Sequence, residues 1–93
     1  MRVASGIRER LERTLRPDLI EIEDQSHLHA GHAGARPEGE SHFHVTIVAS
    51  AFEGRSRVQR QQAVYEALAD LMKTDIHALS LTTRTPEEAA RDT

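Results

Sequence analysis

Near the start of the chain, the spacing of apolar residues changes from a helical period to a strand period. Apolar side chains first recur at every fourth position, which places them on one stripe of a helix. They are Val3, Ile7, Leu11 and Leu15. Pro17 ends this helix, because the residue before a proline disfavours the α region. Apolar and acidic residues then alternate over 19–24, which predicts a strand with Ile20 and Ile22 on its buried face.

The segment 27–40 follows neither period and carries Gly31, Gly34, Pro37 and Gly39. A stretch of this length without regular structure is unusual in a small domain, and such stretches are typically functional or disordered. We therefore predict a long loop between the first two strands.

A second alternating run, over 42–50, predicts the clearest strand of the chain. Its core-facing residues are Phe43, Val45, Ile47 and Ala49, and its outward-facing residues are His42, His44 and Thr46. Residues 52–54 form the turn that follows this strand. A third strand is predicted over 76–82.

Two capping boxes mark where helices begin in the second half of the chain. Ser56 and Gln59 form the first, and the helix that they open is predicted to run to about residue 73. Its predicted apolar face consists of Val58, Tyr65, Leu68 and Met72, flanked by Val64 and Leu71. Thr85 and Glu88 form the second box around Pro86, a residue favoured at the first helical position. Residues 90–93 are expected to be frayed.

The predicted elements follow the order α-β-β-α-β-α, an α+β fold in a single domain over 1–93. The first two strands form an antiparallel pair, and the second helix is a crossover that sets the third strand parallel to the second. The helices then cover one face of a three-stranded mixed sheet. The other face carries Glu21, Glu23, His42 and His44 and is expected to contact water.

Composition narrows the function classes. The chain has 93 residues, a net charge of −3 and no cysteine. Without thiolates it cannot by itself hold an iron–sulfur cluster or a closed structural zinc site. The acidic balance argues against a general polyanion binder, and the absence of a P-loop, a Rossmann fingerprint or a nucleophile elbow argues against an enzyme.

No apolar run reaches the roughly 18 residues that span a bilayer, and no secretory signal is present. We therefore predict a cytoplasmic protein with no membrane partner.

The histidines are the first candidates for chemistry. His27, His29 and His32 lie in the long loop, where imidazoles can ligate a transition metal. His77 opens the third strand, where a side chain is often accessible. The alternatives are that the loop histidines are solvated surface residues and that His77 is structural. Spacing alone does not decide, because a loop does not fix the geometry of its side chains.

The arginines are the second candidates. Arg55, Arg57 and Arg60 cluster at the start of the second helix, where the helix dipole disfavours positive charge. This placement suggests an anionic partner, such as a carboxylate, glutathione or a phosphate backbone. The alternative is solvated charge that Glu53 and Glu66 offset.

Several short stretches form a joint pattern that covers nearly the whole chain. They are 41–43 (SHF), 52–54 (FEG), 57–65 (RVQRQQAVY), 76–79 (IHAL) and 85–88 (TPEE). With these motifs the chain resembles the BolA family, whose fold is α-β-β-α-β-α and related to the type II KH arrangement. Many relatives have His where this chain has Gln61, which weakens any role carried over for that position.

The resemblance implies a partner of monothiol glutaredoxins. In such complexes a [2Fe–2S] cluster is held by the glutaredoxin cysteine, by a glutathione thiolate and by ligands from the BolA-like protein. The C-terminal ligand of the family matches His77. The second ligand comes from the long loop, where His32 is the best match and His29 and His27 are in reserve. No cofactor is expected in the isolated protein.

The leading hypothesis is thus a non-enzymatic protein of iron–sulfur assembly, trafficking or iron regulation. The alternative is a transcriptional regulator that binds DNA through its KH-like face, with the arginines of the second helix on phosphates.

Overall fold

A computed structural model describes residues 2–25 and 42–91. The helices are α1 (Arg2–Leu15), α2 (Arg57–Ala67), α3 (Ala69–Thr74) and α4 (Pro86–Arg91). The strands are β1 (Leu19–Asp24), β2 (His42–Val48) and β3 (Ala78–Arg84), and a short 3-10 turn covers Ser50–Phe52. The predicted loop 27–40 lies outside the described residues. The end of the chain, expected to be frayed over 90–93, is helical through Arg91, and 92–93 are not described.

The strands form one sheet in the order β1-β2-β3. β1 pairs with β2 in the antiparallel sense, and Leu19 lies opposite Val48. β2 pairs with β3 in the parallel sense, and its first residue, His42, lies opposite Ala78. The predicted mixed α+β sheet is therefore confirmed, and β2 is its central strand.

The core lies between one face of the sheet and the helices. The predicted stripe of α1 is confirmed, because Ile7 and Leu11 are completely buried. These side chains belong to the same cluster as Phe43, Val45 and Ile47 of β2. On the opposite face, Glu21 and Glu23 are exposed. Burying the apolar stripe of α1 on a sheet with one apolar face is what holds the two layers together.

The prediction of one helix from residue 57 to about residue 73 is wrong. The backbone leaves the helical region at Leu68, with φ −104° and ψ 12°, and this residue separates α2 from α3. No proline or glycine marks the break. Leu68 is completely buried, so we attribute the break to tertiary packing, which a local pattern does not reveal.

The predicted apolar face of that helix is also wrong in part. Val58 and Tyr65 are 63% and 38% exposed, whereas the side chains that face the core are those of a neighbouring stripe. These are Arg60, Val64, Leu68 and Leu71. The pattern misled because a charged residue occupies a core-facing position, which a search for apolar periodicity rejects.

The third strand begins and ends two residues later than predicted, at Ala78 and Arg84 rather than over 76–82. Ile76 is buried before the strand begins. Pairing with β2 sets the limits of the strand, because β3 begins opposite His42 and ends opposite Val48.

Candidate functional site

His77 lies immediately before β3, and its side chain is exposed. Its ring contacts that of His42, the first residue of β2. The two ring centroids are 6.2 Å apart and the rings are nearly perpendicular, at 86°. The parallel register explains the contact, since it places His42 opposite Ala78, the residue that follows His77. The end of the sheet therefore presents an accessible imidazole beside a second one.

His44 lies two residues further along β2, and both of its ring nitrogens contact hydroxyl groups of β3. Nδ1 lies 2.6 Å from Oγ of Ser80, and Nε2 lies 3.0 Å from Oγ1 of Thr82. A neutral imidazole has one donor and one acceptor nitrogen, so these contacts use both. His44 therefore cross-links the two strands.

The loop histidines His27, His29 and His32 lie outside the described residues, and their role as ligands stays a prediction. The residues that flank the loop are described. The N–H of Gln25 donates to the carbonyl oxygen of His42 at 2.7 Å, so the chain leaves and re-enters the sheet at the same end. This is also the end at which His42 contacts His77. The topology thus attaches both ends of the histidine-bearing segment next to His77.

The described part of the chain does not assemble a complete metal site. Within 2–25 and 42–91, no three side chains of the types His, Cys, Asp and Glu are grouped so that they could hold a metal ion. Any ion bound at His77 needs further ligands from the undescribed loop or from another molecule.

Arg60 departs from both interpretations of the arginine cluster at the start of α2, as a group that binds an anionic partner and as solvated charge. Its side chain is buried and forms an ion pair with Glu88, in which Nη1 lies 2.7 Å from Oε1. Nη1 also donates to the carbonyl oxygen of Thr83, and Nε donates to that of Arg55. The guanidinium lies 5.8 Å from the ring centroid of Phe52. Arg60 thus connects α2 to β3 and α4, and its charge is balanced by Glu88 rather than by Glu53 or Glu66.

Glu88 is held in its charged form by the same contacts. The guanidinium of Arg60, followed by the backbone N–H of Thr85, lowers the pKa of Glu88 to about 2. The N–H of Thr85 donates to Oε1 at 2.9 Å, and the N–H of Glu88 donates in return to Oγ1 of Thr85 at 3.1 Å. The predicted capping box at the start of α4 is therefore confirmed, and its carboxylate also neutralises Arg60.

Sequence reasoning missed a cavity of about 370 Å³ next to this ion pair. Its lining consists of Arg57, Arg60, Arg84, Glu88 and Arg91. Arg84 ends β3 and Arg91 ends α4, so they join Arg57 only in three dimensions. Arg55, which the sequence grouped with Arg57, is exposed and does not line the cavity. In the sequence, the capping box at Thr85 was the one local feature that bears on this cavity, because it sets where α4 begins after β3.

Comparisons with known proteins agree on one family. A family model described as BolA-like protein matches residues 11–88. The chain is 46% identical over 88 residues to Protein BOLA1, chloroplastic, of Arabidopsis thaliana, covering 92% of this chain and 55% of that protein. It is 36% identical over 88 residues to the DNA-binding transcriptional regulator BolA of Haemophilus influenzae, covering 95% of this chain and 82% of that one.

A solved structure shares the fold. The BolA domain of SufE1 from Arabidopsis thaliana matches with a TM-score of 0.80 and 45% identity, covering 90% of this chain and 92% of that one. The chain spans less than two thirds of the length of several curated relatives, and only 23% of SufE-like protein 1 of the same plant. Among the described residues, no helix is long and apolar enough to cross a membrane. The cytoplasmic location stays a prediction, since relatives carry chloroplastic or mitochondrial in their names.

Proposed function

This chain belongs to the BolA-like protein family, and on that premise we propose that it is a non-enzymatic partner of a monothiol glutaredoxin. It co-ligates a [2Fe–2S] cluster with the glutaredoxin and glutathione, for iron–sulfur assembly, trafficking or iron regulation. The single observation that carries this proposal is the exposed imidazole of His77 at the end of the sheet where the histidine-bearing loop is attached.

The donor groups on this chain suit a shared cluster. An imidazole nitrogen is an established ligand of [2Fe–2S] iron in place of a thiolate. His77 is one proposed ligand, and His32 is the other, with His29 and His27 in reserve. The contact with His42 restricts the positions open to the His77 ring. When it is bound, the cluster supplies redox chemistry. Nitrogen ligation raises its reduction potential relative to all-thiolate ligation.

The test mixes the purified chain with a cluster-loaded monothiol glutaredoxin and glutathione. We expect a heterodimer on gel filtration and a changed visible circular dichroism spectrum. His77→Ala is expected to abolish the spectral change, because it removes a proposed ligand of the cluster. His77→Cys is expected to restore cluster binding with a shifted spectrum, since a thiolate takes the place of the nitrogen.

His44→Gln is the matched control, because it removes an imidazole of β2 that contacts β3 without being a proposed ligand. It is expected to keep the spectrum of the unmodified complex. The proposal is wrong if the unmodified chain forms no heterodimer, or if His77→Ala retains the spectrum of the unmodified complex. His32→Ala is expected to behave like His77→Ala, and a retained spectrum there would assign the loop ligand to His29 or His27.

A second candidate is a DNA-binding transcriptional regulator, and the name of the relative from Haemophilus influenzae favours it. Its binding should rise steeply at low salt, because each neutralised phosphate contributes about −0.9 to the slope of log K against log salt. It should also discriminate between DNA sequences. His77→Ala should leave this binding unchanged, so the two candidates respond differently to the same variant.

A further inference from the structure

The cavity between the start of α2 and α4 carries a surplus of positive charge. Four guanidinium groups and one carboxylate line it. Arg60 and Glu88 neutralise each other through their ion pair, so the surplus comes from Arg57 and Arg91. Arg84 also lines the cavity, and it donates to the carbonyl oxygen of Thr83. Arg91 lies 3.3 Å from Glu87, but both side chains are largely exposed, and an exposed ion pair of this kind is weak and easily exchanged.

Between Arg57 and the other described residues, no contact that would stabilise the fold is seen. Arg57 is exposed, and neither an ion pair nor a side-chain hydrogen bond to the described residues is seen for it. It is the first residue of α2, where the positive end of the helix dipole makes a cation unfavourable. An anion in the cavity would remove this repulsion and engage the guanidinium at the same time.

The lining selects the chemistry of the ligand. The volume of about 370 Å³ falls within the range of small-molecule sites, roughly 300–1,000 Å³. Such sites are usually apolar, whereas each of the described residues that line this one is charged. A phosphoryl group carries up to two negative charges and three acceptor oxygens, and the planar fork of arginine matches those oxygens. A single carboxylate would compensate only one of the guanidinium groups of Arg57 and Arg91.

Recognition at this cavity is limited to the phosphoryl group. Proteins that bind nucleotide bases without reading a duplex usually stack them on aromatic side chains, and none of the described residues that line the cavity is aromatic. The ring of Phe52 is completely buried beneath the guanidinium of Arg60. The site therefore lacks a platform for a base.

We infer that this cavity binds the phosphoryl groups of an anionic ligand through Arg57, Arg84 and Arg91. The Arg60–Glu88 ion pair forms the floor of this site. Glu88 does not repel the ligand, because its carboxylate accepts hydrogen bonds from Arg60 and from the backbone of Thr85. The ligand is either a free phosphorylated molecule or the backbone of a nucleic acid.

The inference does not depend on the glutaredoxin proposal. β3 runs from Ala78, next to His77, to Arg84 at the cavity. At about 3.3 Å per residue, this strand separates the two sites by roughly 20 Å. An experiment can therefore reject either proposed site without rejecting the other.

The test titrates the full chain with inorganic pyrophosphate at constant ionic strength, followed by calorimetry and by NMR. We expect saturable binding and shifts at Arg57, Arg84 and Arg91. The double variant Arg57→Gln/Arg91→Gln is expected to bind at least tenfold more weakly. Both side chains are exposed, so the fold should persist.

The control is Arg8→Gln/Arg13→Gln, which removes the same charge from exposed positions of α1. Arg13 forms an exposed i,i+4 ion pair with Glu9, as Arg91 does with Glu87, so the two doubles are matched. The control is expected to bind within twofold of the unmodified chain. Equal affinities of the two doubles, or no saturable binding by the unmodified chain, would overturn the inference.

Two further arms identify the source of the phosphoryl group. A mixed-sequence, single-stranded oligonucleotide that displaces pyrophosphate identifies a nucleic-acid backbone. An oligonucleotide that does not displace it identifies a free phosphorylated molecule. An acidic peptide that shifts Arg57 and Arg91 in a chain that does not bind pyrophosphate would overturn the inference in favour of carboxylates.

Discussion

At the residue scale, Arg60 is the side chain that most clearly departs from the sequence pattern. It occupies a core-facing position of α2, in the stripe that continues with Val64 and Leu68. A buried guanidinium is tolerated only when its donors and its charge are satisfied. Here carbonyl oxygens of Arg55 and Thr83 and the carboxylate of Glu88 fulfil that condition.

Because of the ion pair between Arg60 and Glu88, the stability of the fold depends on pH. The pKa of Glu88 falls from 4.5 to about 2 on folding, so its contribution is complete above pH 4.5 and is lost as the pH falls through about 2. We expect Glu88→Gln to be less stable than the unmodified chain at neutral pH, because Arg60 loses its counter-charge. The difference should shrink between pH 4.5 and pH 2, as the carboxyl group of the unmodified chain becomes protonated.

Urea denaturation across this pH range is the measurement. Glu87→Gln is the control, because Glu87 is 80% exposed and its ion pair with Arg91 is of the weak surface type. A stability difference for Glu88→Gln that does not vary with pH, or one that Glu87→Gln reproduces, would contradict this account.

At the scale of elements, the features that the sequence predicts correctly are local ones. The capping box at Ser56 and Gln59 joins residues three apart, and the structure shows both of its hydrogen bonds, at 2.9 and 3.2 Å. The stripe of α1 and the alternation of β1 depend only on period and are likewise confirmed. The alternation of β2 is confirmed through Ile47, but the strand ends at Val48 rather than at residue 50. The break at Leu68 and the limits of β3 depend on packing and register, which involve residues far apart in the chain.

The cap at Ser56 supports a quantitative prediction. Ser56→Ala should lower the free energy of unfolding by about 0.5–2 kcal/mol, because it removes the acceptor for the N–H of Gln59. Ser56→Asp keeps an acceptor at this position, so its stability should remain much closer to that of the unmodified chain. Chemical denaturation measures both variants, and an equal loss in the two would show that the hydroxyl has a role other than capping.

At the scale of the whole molecule, the parallel pairing of β2 with β3 determines which side chains meet. The sequence identified His77 as a candidate, but its neighbour His42 follows only from the register of two strands joined by a crossover. The same pairing carries Arg84 to the far end of the sheet, beside the start of α2. Period and capping do not contain this information, so the cavity was not predictable from local patterns.

The separation of the two ends leads to a prediction about the complete assembly. Pyrophosphate should bind the chain in complex with a cluster-loaded glutaredoxin within about twofold of its affinity for the free chain. The physical reason is the roughly 20 Å of strand between His77 and the cavity, which exceeds the Debye length of about 8 Å at physiological salt. Calorimetry on the preformed complex measures this, and mutually exclusive binding would show that the glutaredoxin covers both ends.

The contacts of Arg60 also bear on how this chain folds while it is being synthesised. Its guanidinium binds groups that lie 23 and 28 positions further along the chain, at Thr83 and Glu88. While a nascent chain lacks those positions, docking α2 would strand an unpaired cation away from water. We therefore expect the second half of the domain to close only after α4 has been synthesised, and a chain that ends within β3 to leave Arg60 without its counter-charge.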